Sequence, residues 1–122
     1  NKANIRSGVN QGMEKQINPN EAIDFIIKNG PTFAAAKADR VYIEQYIKTV
    51  KAMLMNDCQN MPSTKAEAYA LAHPDYKLQI DALKIAVEAE ETLKWHLEAA
   101  RLRVEVWRTN EASNRGIDRA TR

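Results

Sequence analysis

The sequence predicts an all-α protein: long antiparallel helices forming a hairpin, with a C-terminal helix of about 40 residues, assembling as an oligomeric bundle. Two observations carry this. Ala, Glu, Lys, Arg, Ile and Leu dominate, and only four Gly and four Pro punctuate 122 residues. The β-branched residues never alternate with polar ones over a strand's length, so strand content should be near zero.

Residues 1–18 mix Asn, Gln, Gly and Lys with scattered apolar residues and read as a flexible arm, leaving 19–122 as a single helical domain. Asn18 can cap a helix of about ten residues with Pro19 in its first position and Gly30-Pro31 as its stop. Thr32 then caps a second helix that runs to about Asp57. Its stripe Ile43, Ile47, Val50 and Leu54 steps by four, three and four, widened by Tyr42, Tyr46 and Met53. Asn56, Asp57, Asn60 and Pro62 end it. A connecting helix follows, with a capping box from Thr64 to Glu67, the inner face Ala66, Tyr69 and Ala70, and His73-Pro74 as its boundary.

Asp75 is placed to cap the last helix, which continues to about Asn114. Tyr76, Ile80, Leu83 and Val87 form one seam; Leu93, Leu97, Ala100, Val104 and Trp107 form another. The step of six from Val87 to Leu93 predicts that the seam changes face midway. A hairpin with the shorter 32–57 helix leaves part of the last helix uncovered. The residues expected to bury it in a homo-oligomer are Leu93, Leu97, Ala100, Val104 and Trp107, with Trp95 as a further anchor.

Every seventh residue near the end is basic: Lys94, Arg101, Arg108, Arg115 and Arg122. On a helix these drift only ~20° per heptad, and a linear row of cations suits a linear polyanion. The competing reading is a solvated face, because Glu98, Glu105, Glu111 and Asp118 lie three or four places away. Arg115, Arg119 and Arg122 have the fewest acids nearby and are the leading phosphate contacts, followed by Arg108 and Arg101. A second basic set, Lys37, Arg40, Lys48 and Lys51, lies beside Tyr42 and Tyr46, an arrangement that single-stranded nucleic acid could use, although core packing of both rings is the favoured reading.

Charge also separates along the chain. Residues 63–93 hold three bases and six acids, and residues 94–122 hold seven bases and four acids, so copies could align with acidic and basic parts together. No apolar run approaches the ~20 residues of a membrane span, and no charged-then-apolar leader begins the chain. The lone Cys58 forms no internal disulfide and has no histidine near it in sequence. A soluble, cytoplasmic protein with no cofactor, no metal and no enzymatic activity is the expectation. Glu90-Glu91 are adjacent on a helix, about 100° apart, and do not form an acid and base pair.

The segments AAAKADRVYIEQYIKTVKAMLM (34–55), YALAHPDYKLQIDAL (69–83) and above all LKWHLEAARLRVEVWRTNEASNR (93–115) resemble small phage-encoded helical proteins, in particular the UvsY-type recombination mediators. That resemblance implies a non-enzymatic accessory protein of phage recombination or replication. It would oligomerise, bind single-stranded DNA, and help a recombinase or annealing protein load in place of a single-strand-binding protein. Trp95 would then sit in the oligomer core, with Arg101, Arg103 and Arg108 near the basic helix. The N-terminal third departs from the pattern. The alternative is a structural or adaptor oligomer that binds no nucleic acid.

Overall fold

A computed structural model describes residues 17–121, which form three helices and no strand: α1 (Pro19–Asn56), α2 (Ser63–Ala72) and α3 (Pro74–Thr121). Residues 1–16 of the expected arm, and Arg122, lie outside the described residues.

The first departure from expectation is at Pro31. Instead of two helices divided by Gly30-Pro31, α1 is one helix of 38 residues with Pro31 inside it. Proline removes one hydrogen-bond donor and crowds the carbonyl four residues back, so something must offset the cost. The offset is packing. From Asn29 a covered stripe of α1 runs through Phe33, Ala36, Arg40, Ile43, Ile47, Val50 and Leu54, each three or four residues from the last, with Gly30, Glu44, Lys51 and Met55 half-buried beside it. Pro31 falls outside this stripe on an exposed position, so the ring meets water rather than the core.

Asn18 caps α1 as expected, its Oδ1 accepting from the backbone N–H of Asn20 at 2.9 Å and of Glu21 at 3.3 Å. The other two caps differ. No side chain caps α2, which starts at Ser63 rather than being boxed by Thr64 and Glu67. Glu67 is drawn instead to Lys51, whose Nζ donates to it at 2.9 Å. At α3, His73 rather than Asp75 supplies the cap: its Nδ1 accepts from the Asp75 N–H at 3.0 Å. His73 thus ends α2 and starts α3, and α3 runs on for 48 residues through Gly116, where a Cβ would meet nothing within 4 Å.

The chain divides into two compact units. One comprises Lys28–Leu97: the greater part of α1, all of α2, and the first half of α3. Here α1 and α3 run antiparallel, and at the closed end Val50, Leu54 and Ala70 form the core, with Met55 and Tyr76 packed on it. Ala70 is fully buried, because α2 is short and must press its small face close to cover that end. The turn that joins α1 to α2 buries Cys58. The other unit combines the start of α1 up to Ile27 with α3 from Glu98; among the described residues Ala22 and Ala100 are buried in it.

The seam of α3 also differs from expectation. Instead of changing face after Val87, the covered face follows Tyr76, Gln79, Leu83, Ala86, Glu90, Leu93 and Leu97, an alternation of three and four, with Ala82 and Glu98 half-buried beside it. Ala100 and Val104 keep the same spacing. Ile80 and Val87 lie one position off this seam and are exposed. A carboxylate, Glu90, occupies the central seam position, and that is why the apolar residues alone show a gap.

Candidate interaction surfaces

Three surfaces follow from these registers. The first is internal. Arg40 and Glu90 are the charged members of the inner stripes of α1 and α3, and they meet in a two-pronged contact: Arg40 Nε donates to Glu90 Oε2, and Nη2 donates to Oε1 at 3.0 Å. Arg40 Nη1 also donates to Glu44 at 3.0 Å. Glu90 is only 8% exposed. The guanidinium hydrogen bond holds the Glu90 carboxyl below its ordinary value against the opposing effect of burial, and the charges of Lys37 and Lys94 add to the lowering. Arg40 is raised in turn, first by Glu90. A planar fork matched to a carboxylate gives direction as well as attraction, so this pair favours the register in which Arg40 and Glu90 lie opposite one another. Sequence reasoning gave Arg40 to a DNA face and Glu90 no role. The signal that would have paired them is the unbroken three-four spacing once a charged residue is allowed at a seam position.

The second surface is apolar and exposed. Tyr42 and Tyr46, one turn apart, stack with ring centroids 5.9 Å apart and planes 8° from parallel. Both are exposed rather than packed in the core. They border two grooves between α1 and α3, each of about 370 Å³: one beside Tyr42, Ala82, Ile85 and Ala89, the other beside Tyr46, Met53 and Leu78. The bases expected to interleave with these rings do not. Arg40 is turned to Glu90 and Lys51 to Glu67, while Lys37 lies about 140° and Lys48 about 120° around the helix from Tyr42.

The third surface is the basic row of α3. Its members divide as their acids do. Lys94 is 4.0 Å from Glu91 and lies 5.6 Å from the centre of the exposed Trp95 ring. Arg101 is clamped between Glu98 at 2.5 Å and Glu105 at 2.6 Å, which raises its pKa, Glu98 contributing most. Beyond it the pattern changes. Arg115 Nε donates to the Glu111 carbonyl at 3.4 Å, and among the described residues Arg108, Arg115 and Arg119 form no ion pair. All three are exposed.

The expected interface residues are partly used within the chain itself: Leu93, Leu97 and Val104 are half-buried and Ala100 is 2% exposed, whereas Trp95 is outward and Trp107 sits near the margin. No group of His, Cys, Asp or Glu among the described residues could hold a metal ion, and no described helix is long and apolar enough to cross a membrane. Comparison with protein-family models, curated proteins and solved structures finds no match.

Proposed function

We propose that the chain is a non-enzymatic phage recombination or replication accessory protein that self-associates and binds single-stranded DNA without sequence preference. It would assist a recombinase or annealing protein on strands otherwise held by single-strand-binding protein. The observation that carries the DNA reading is the change along the basic row after Glu105: Arg108, Arg115 and Arg119 share one side of α3 with no acid engaged. Guanidinium groups free of carboxylates are available to phosphates, and binding would release the counterions of the strand. The Lys37, Arg40, Lys48 and Lys51 face supports this reading less, since Arg40 and Lys51 are engaged within the fold.

The second reading, an adaptor that binds only protein, is favoured by a different observation: Arg40, Lys51, Lys94 and Arg101 all have carboxylates within the same chain. Salt-dependent binding of a labelled oligothymidine separates the two. Each phosphate that is no longer neutralised should reduce the slope of log affinity against log salt by about 0.7. Replacing Arg108, Arg115 and Arg119 by Gln should therefore reduce the slope by about 2 and leave helix content unchanged. An unmodified protein that binds no oligonucleotide at low salt would leave the adaptor reading standing.

A further inference from the structure

The two apolar grooves of the Lys28–Leu97 unit are lined by charge of one sign. On α1, Asp39, Tyr42, Tyr46 and Met53 fall within about 60° of arc, with Asp57 in the turn just past its end, and on α3, Asp75, Leu78, Ala82, Ile85 and Ala89 fall within about 80°. Tyr42, Met53, Leu78 and Ile85 are each 60–70% exposed. The charged residues that line the two grooves are Asp39, Asp57 and Asp75, with no base among them. Two such faces brought together would oppose acid to acid. Their complement is an apolar strip that carries positive charge and no acid.

The second half of α3 has such a strip in two parts, Leu102 with Val106 and, past the polar Asn110 and Ser113 on the same arc, Ile117. Taking Arg103 as zero, Leu102, Val106 and Ile117 fall at about 260°, 300° and 320° around the helix. All three are 46–60% exposed. No acidic residue of 98–121 falls between 260° and zero, since Glu98 and Glu105 lie at about 220° and 200°, and Glu111 and Asp118 at about 80° and 60°. The lengths agree as well: Leu102 to Ile117 spans about 22 Å of helix, and Asp39 to Asp57 about 27 Å.

We infer that the occupant of the groove face is the Leu102, Arg103, Val106 and Ile117 strip of a second copy of this chain. Two different patches of each molecule are then used, so the contact is head-to-tail rather than symmetric. Arg108, Arg115 and Arg119, at about 140°, 120° and 160°, stay on the far side of the docked helix. Assembly by this contact goes beyond the proposed function, because it needs no nucleic acid and leaves the phosphate-facing row uncovered.

The test is the mass of the full chain in solution without DNA, by light scattering at tens of micromolar. Tyr42→Glu with Ile85→Glu disables the groove face; Val106→Glu with Ile117→Glu disables the strip. Each double variant alone should be monomeric, and their equimolar mixture should give a dimer, because one intact groove remains for one intact strip. A strip variant that keeps the parent mass, or a mixture that stays monomeric while both variants keep their helix content, overturns the inference. Arg103→Glu, an exposed polar change that spares the core, should weaken association at least tenfold by sedimentation equilibrium; a change under twofold also overturns it. Oligonucleotide affinity is read separately, so a loss of DNA binding with assembly intact would count against the proposed function alone.

Discussion

Replacing Pro31 with Ala tests the continuity of α1 through the sign of its effect. In a helix interior proline is about 3 kcal/mol less favourable than alanine, because it removes a hydrogen bond and crowds the carbonyl four residues back. Here that carbonyl belongs to Ile27, a residue 68% exposed, so water can take up the freed acceptor and part of the cost is already relieved. A gain of about 1–3 kcal/mol is expected. At roughly 4 °C per kcal/mol for a chain of this size, the melting temperature should rise by about 4–12 °C, read by circular dichroism at 222 nm. A turn at Gly30-Pro31 gives the opposite sign: there proline stabilises by about 0.4–1 kcal/mol through the unfolded chain, and alanine would forfeit that. A melting temperature that falls or stays put would refute the single-helix account and restore the break.

Glu90 should give the hairpin a pH dependence. Its folded pKa is lowered from 4.5, so its contribution is present above that value and is lost as pH falls through the lower folded value. Melting temperature should drop on acidification below about pH 4.5, and Glu90→Gln should lower stability at pH 7 while flattening that part of the acid profile. Leu54→Ala removes a core side chain at the closed end and should cost about 2–3 kcal/mol, near the low end of the usual range because Leu54 also borders an open groove that can partly collapse, as denaturant titration would show. Arg101→Gln should change oligonucleotide affinity less than Arg108→Gln, since Glu98 and Glu105 already neutralise Arg101; equal losses in a binding titration would contradict that ranking.

Much of this protein was decided locally. The all-helical class, the Asn18 cap, the end of α1 near Asn56 and the boundary at His73-Pro74 follow from propensity, turn chemistry and the restricted backbone beside proline, all of which act within a few residues. The pairing of Arg101 with Glu98 and Glu105 was equally legible, because three- and four-residue spacing on a helix suffices to predict it. Tertiary structure decided where local rules compete with burial. Pro31 continues a helix because the stripe from Asn29 to Leu54 outweighs one missing hydrogen bond. Glu67 leaves its capping box for Lys51, sixteen residues away in sequence. Arg40 and Glu90, fifty residues apart, were invisible as a pair because each taken alone is an ordinary surface charge. Only the antiparallel register places them opposite one another at positions where hydrophobic residues are the rule. The exposed Tyr42 and Tyr46 stack has the same origin, since their stripe is apolar at helical spacing and only the path of α3 determines which of two adjacent apolar faces is covered.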